Sequence, residues 1–220
     1  MDNNRREMLN KLMEDLKSIS YISPQDVPNI DLYMDQVTTF MDQHLEGTKR
    51  YSEDKLLTKT MINNYTKNEL LPSPTKKKYS KDHMLMLIFI YYLKNILSIT
   101  DIQALLNPLS ELFFSGKGQV TLEDIYKEIY EMEQTQAASV TKDMMRKAEV
   151  SEATFEGVED PQQQEYLKNF AYACLLSYDI YTKRQMLERL IDERFVKKDA
   201  KQVEKKKDEK KKDEKKKDQK

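Results

Sequence analysis

Apolar residues recur at helical spacing along most of this chain. Met8, Leu9, Leu12, Met13, Leu16 and Ile19 mark a first helix over residues 4–19, and Pro24 and Pro28 punctuate the loop behind it. The pattern resumes behind Asn29, where Leu32, Tyr33, Val37, Phe40, Met41 and Leu45 would form the inner face of a second helix ending near Gly47. A polar loop leads to a short helix over 58–68, with Thr58 placed to cap it and Leu71-Pro72-Ser73-Pro74 to stop it. The next helix should start at Ser80 and run through an apolar block to Leu93. Ser98 and Asp101 have capping-box spacing and open another, predicted to end at Asn107-Pro108.

Ser115-Gly116-Lys117-Gly118 reads as a flexible connection. Thr121 to Asp124 is a second capping box, opening a long helix with Leu122, Ile125, Ile129 and Met132 inward. Residues 150–161 read as an acidic loop. From Gln162, Leu167, Phe170, Cys174 and Tyr178, with Ala171 and Tyr181, predict an amphipathic helix that restarts in a new phase at Thr182 to Gln185. The segment 196–220 has KKKDE and KKKDQ repeats with no apolar group to bury, so it is expected to stay disordered.

Four glycines, six prolines and no tryptophan in 220 residues fit this helical reading. Cys174 is the single cysteine, which excludes an intrachain disulfide and a Cys-based zinc site within one chain. The N-terminal stretch mixes charges and lacks a signal-peptide core, and the longest apolar run, Met84 to Leu93, is about half the ~20 residues that span a bilayer. The expected location is the cytoplasm, with no membrane contact.

A net charge of −1 conceals strong asymmetry. Residues 49–81 carry nine basic side chains against three acidic ones, whereas the rest of 1–195 carries 15 against 28. Such a body repels a polyanion everywhere except at that window. Within it, Lys59, Thr60, Asn63, Asn64 and Lys67 share one face of the 58–68 helix, opposite Leu57, Met61 and Ile62. Asparagine can bond bidentately to adenine in a major groove, while lysine and threonine reach guanine edges or phosphates. Lys76, Lys77 and Lys78 follow on a tight loop, where they can neutralise phosphates flanking the groove, as can Lys81. Thr58, Lys59, Thr60, Asn63, Asn64, Lys67, Lys76, Lys77, Lys78 and Lys81 are therefore the candidate DNA contacts.

Thr60-Met61-Ile62-Asn63-Asn64-Tyr65, then Glu69-Leu70-Leu71-Pro72, then Lys78-Tyr79-Ser80, and finally Leu97 to Ile102 through Leu105-Leu106 resemble the winged helix-turn-helix of mercury-resistance-type (MerR) regulators. A family of uncharacterised bacterial proteins described as regulators is a closer likeness. The resemblance implies an all-α fold with an N-terminal winged helix-turn-helix, dimeric binding to double-stranded DNA, a recognition helix at 58–68 and a shortened wing at 72–79. Where those regulators carry an Arg before a Tyr pair, this chain has Asn63 and Asn64, so phosphate anchoring falls to the lysines. Their metal sensors use cysteine pairs, which are absent, so an effector would not be a thiolate-bound metal.

The expected organisation is an N-terminal helix and loop (1–27), a helix-turn-helix domain (28–107), a helical dimerisation or effector region (119–195) and a Lys-rich tail. Tyr65, Tyr79 and the Met84–Tyr92 block read as packing residues. His44 and His83 lie on different helices without a carboxylate pattern and read as packing or surface groups, and Cys174 as a buried small hydrophobe. No glycine-rich nucleotide loop, metal cluster or nucleophile-base pair points to an enzyme, and no cofactor is expected. The competing reading is a helical adaptor docking an acidic protein on the same basic patch.

Overall fold

A computed structural model describes residues 3–16, 22–114 and 119–196. Ile19, the connection at 115–118 and the tail beyond 196 lie outside the described residues. The described residues are mostly helical, with seven α-helices and one two-stranded sheet among them. In order they are α1 (Asn3–Leu16), β1 (Leu32–Tyr33), α2 (Met34–His44), α3 (Lys59–Lys67), β2 (Lys78–Tyr79), α4 (Lys81–Leu93), α5 (Ile99–Phe113), α6 (Leu122–Glu152) and α7 (Pro161–Ile191).

The interior is organised around α4. Every residue from His83 to Tyr91 is buried, so this helix has no solvent face and must be wrapped by others. Val37, Phe40 and Met41 of α2, Ile62 of α3, Ile102 and Leu106 of α5, and Leu122 and Tyr126 of α6 join it in one buried cluster, as does Ile191 at the end of α7. The Tyr126 ring meets Phe89 edge-on, and its hydroxyl donates to the Ile22 carbonyl at 2.5 Å. Its buried phenol thus satisfies a buried acceptor, tying α6 to the loop ahead of β1.

The caps fall where expected. Thr58, Ser98 and Thr121 accept from backbone amides three residues on, and Asp101 and Asp124 complete two capping boxes. Other expectations need correction. Leu32 and Tyr33 are not helical: they pair antiparallel with Tyr79 and Lys78, which turns Leu32 inward and leaves Tyr33 exposed. A strand's alternating faces explain that split. The helix opened by Ser98 runs through Pro108 to Phe113 instead of ending at Asn107, because Leu109 and Phe114 pack against the core beyond it. In α6 the inward aromatic is Tyr126, and Met132 is exposed.

α6 and α7 are 31 residues each, about 46 Å at 1.5 Å per residue, and pair as a long hairpin. α7 starts at Pro161 behind an Asp160 cap and does not restart at Thr182, whose hydroxyl bonds back to the Tyr178 carbonyl at 2.9 Å inside the same helix. Of its expected inner face, Leu167 and Ala171 are half-buried, but the other residues point outward. Phe170, Cys174, Tyr178 and Tyr181 are exposed, and the side turned toward α6 carries Lys168 and Asp179. Lys168 pairs with Glu152 at 2.9 Å and Asp179 with Lys147 at 2.9 Å, and these bonds set the rotation of the helix. Buried Arg5 of α1 ion-pairs with Glu152, donates to the Ser151 hydroxyl at 2.8 Å and fastens α1 to this end of the hairpin. No helix among the described residues is long and apolar enough to cross a membrane.

Candidate nucleic-acid interface

The loop from 49 to 58 is pinned before α3 begins. Leu56 and Leu57 are buried, the Lys94 ammonium donates to the Leu56 carbonyl at 2.6 Å, and Tyr91 bonds the Thr48 hydroxyl. Burial lowers the pKa of Lys94, whose charge also lies 4.9 Å over the Tyr91 ring. This held loop stands where a tight turn would be in a compact helix pair. The Thr58 hydroxyl accepts from the Met61 amide at 3.2 Å, and Ile62 anchors α3 in the core. Lys59, Thr60, Asn63, Asn64 and Lys67 are all exposed on the other side, the face expected from their spacing.

α3 ends in a Schellman arrangement. The Glu69 amide donates to Thr66 at 3.1 Å and the Leu70 amide to Tyr65 at 2.9 Å. Glu69 has φ of 57°, a left-handed position that glycine occupies at no steric cost. Glu69→Gly should therefore raise stability by about 1 kcal/mol in urea unfolding. No gain would place Glu69 in a second, compensating contact.

Lys76 and Lys77, with φ of 52° and 63°, are the two central residues of a turn closed by the Lys78 amide on the Thr75 carbonyl at 3.0 Å. Two successive positive φ angles make it a type I′ hairpin turn. Both side chains are exposed. Lys78 continues into β2, its ammonium 5.3 Å over the Tyr33 ring. Two residues on from Tyr33, Asp35 ion-pairs with Lys59 of α3. The start of α2 thus meets the basic turn's strand through Tyr33 and α3 through Asp35.

Lys81 stands apart. It is mostly covered, pairs with Glu123 of α6 at 2.7 Å, and lies among Asn29, Asp82 and Glu123. Thr58 uses its hydroxyl as a cap. Tyr33 is the residue that pattern reading missed, because the alternation that exposes it lasts only two positions.

Under the turn, His83 fastens β2 to α4. Its Nδ1 accepts from the Ser80 amide at 3.1 Å and hydroxyl at 2.8 Å, so the neutral ring carries its proton on a buried Nε2. Tyr79 and Phe114 meet the ring edge-on at 5.6 and 4.8 Å. Burial holds its pKa below the ordinary 6.5, against the opposing pull of the Ser73 carbonyl and Asp82. Below pH 6.5 the unfolded chain takes up a proton that the folded one refuses, so stability should fall as pH drops from 6.5 through the depressed folded value. Tm measured across that window should decline, and His83→Gln, which keeps a capping side chain, should flatten the decline. An unchanged slope would assign the pH response elsewhere. His44 is also a packing group, stacked 4.1 Å from Phe40.

Among the described residues no cluster of histidine, cysteine and carboxylate groups could hold a metal. What the arrangement offers is an uncharged-polar and cationic surface on α3 and the turn. No curated protein and no solved structure matches the chain. Residues 22–129, which run from the loop before β1 into α6, are similar to a family described as a domain of unknown function (DUF1836).

Proposed function

We propose that this chain is a sequence-specific, DNA-binding transcription regulator of bacterial type, built on a MerR-like winged helix-turn-helix. In this reading α3 enters the major groove with Asn63 and Asn64 toward base edges and Lys59, Thr60 and Lys67 toward bases or phosphates. The Lys76–Lys78 turn is the wing and neutralises flanking phosphates. Lys81 is left out of the contact set because its side chain is mostly covered where Glu123 holds it, whereas Lys59, paired with Asp35, stays exposed. A two-fold dimer, joined through the C-terminal helices, would read a near-palindromic site.

The observation that carries this reading is the Lys76-Lys77 turn. A type I′ turn favours Asn-Gly, and two lysines held at positive φ cost stability relative to that pair. Strained backbone of this kind gathers at working sites. Here it presents two exposed lysines at the tip of the hairpin, on the basic stretch of an acidic body.

Selection from a random duplex pool at near-physiological salt tests the reading, with Lys76, Lys77 and Lys78 changed to Glu as the control. A symmetric motif enriched by the native chain and lost in the control is the expected result. Failure to enrich any sequence overturns it and favours the adaptor. With the motif in hand, Asn64→Ala should cost ~1 to 3 kcal/mol at one base position and leave others alone. A uniform loss across sequences would remove Asn64 from base reading.

A further inference from the structure

We propose that the loop joining α2 to α3 is a second backbone-binding arm of the DNA interface, in which Arg50, Tyr51 and Lys55 hold duplex phosphates other than those met by the Lys76–Lys78 turn. This arm rests on the DNA reading above and extends it to a segment that has no role there.

Residues 45 to 58 separate α2 from α3, where about three or four residues suffice to turn one helix onto the next in a helix-turn-helix. Both ends of this long loop are fixed. Leu45 is fully buried and its carbonyl accepts from the Thr48 hydroxyl at 2.6 Å, while Leu56 and Leu57 are buried beside the Lys94 bond. The tip between them is shaped as well. The Asp54 carboxylate accepts from the Arg50 amide at 3.1 Å and the Tyr51 amide at 3.0 Å, and the Asp54 amide donates to the Tyr51 carbonyl at 3.1 Å. A mere connection has no need of an ordered tip, and long loops on a rigid scaffold are where binding residues gather.

The groups on that tip suit phosphate. Arg50, Tyr51 and Lys55 are all exposed, Tyr51 by 55%. The Arg50 guanidinium lies 5.3 Å from the centre of the Tyr51 ring, and a guanidinium resting on an aromatic face keeps its N–H edge for a bidentate hold on phosphate. Among the described residues neither Arg50 nor Lys55 is ion-paired, whereas Lys49 at the base of the loop is held by Asp42 at 3.0 Å. The acids of the tip are turned to the loop itself: Asp54 takes the two amides, and Glu53 accepts from the Ser52 hydroxyl at 3.1 Å. Continuity identifies the partner as the duplex. Lys55 precedes the Thr58 cap by three residues, so the loop runs directly into α3. DNA carries a phosphate for every ~1.7 Å of its axis, so a helix seated in the groove has phosphates beside it for a neighbouring arm to take.

Salt-titrated binding of the full chain to the duplex that the native protein selects tests the proposal, using Arg50→Gln combined with Lys55→Gln. Both side chains are exposed, so urea unfolding should be unchanged. The double variant should select the same motif, because phosphate contacts carry no sequence information. It should bind about 50-fold more weakly near 0.1 M salt, with the slope of log K against log salt shallower by about 1.8. Tyr51→Phe removes only a neutral donor, so it should weaken binding severalfold and leave the slope alone. The same charge change at exposed Lys142 of α6 and Arg189 of α7 is the control and should have a far smaller effect on both quantities. Ethylating individual phosphates should reveal positions that weaken the native chain and no longer weaken the double variant. Native affinity and slope in the double variant, an equal loss in the control, or an unchanged ethylation pattern overturns the proposal and leaves base reading by α3 intact. A native chain that enriches no duplex overturns the DNA reading itself, and this arm with it.

Discussion

Lys76→Asn combined with Lys77→Gly is expected to make the protein more stable and a poorer DNA binder at once. Both lysines sit at positive φ, where an L-residue other than Gly, Asn or Asp costs roughly 1 to 2 kcal/mol. Asn-Gly is the pair that a type I′ turn prefers, so relief of about 1 to 2 kcal/mol in total is a conservative expectation. For DNA, each lost phosphate contact reduces the slope of log K against log salt by about 0.9 and, near 0.1 M salt, weakens binding by nearly tenfold. Two contacts give about a 50-fold loss, equal for all sequences. Urea unfolding and salt-titrated binding measure the two effects separately. Greater stability with unchanged affinity would show that the turn never touches DNA, and unchanged stability would show that the left-handed pair is not strained.

Ile88→Ala should have the largest effect on folding. Ile88 is fully buried at the centre of a helix whose whole circumference is covered by other elements. A cavity there cannot collapse by drawing in solvent-facing neighbours, so the substitution should cost about 3 to 5 kcal/mol. That is a large part of the 5 to 15 kcal/mol that holds a typical domain together. Phe170→Ala on the outer face of α7, although it removes more atoms, should change the stability of one isolated chain by less than about 0.5 kcal/mol. Denaturant midpoints at low protein concentration compare the two. A loss below about 1 kcal/mol for Ile88→Ala would contradict the central position of α4.

These contrasts also explain what the sequence disclosed and what it withheld. Thr58, Ser98 and Thr121 were legible as caps because a cap is decided within three residues by one side chain and one amide. The exposed face of α3 was legible for a similar reason, since Ile62 fixes which side is buried. The strand character of Leu32 and Tyr33 depends on partners 47 and 45 residues away, and two positions are too few to show alternation. Both sides of α7 carry apolar residues, so periodicity alone could not choose between them. Lys168 and Asp179 made that choice through partners on another helix. Lys81 belonged to the basic window by sequence, yet Glu123, 42 positions along, claims it.

The seam at Arg5 sets the timetable of assembly. Its partners Ser151, Glu152 and the Lys168 carbonyl follow it by 146 to 163 positions. At synthesis rates of about 5–20 residues per second, they emerge roughly 10 to 30 s after Arg5 itself. For that interval α1 has an apolar stripe and a guanidinium destined for burial, but no surface to receive either. α1 therefore docks at this seam only after α6 and the start of α7 have been made.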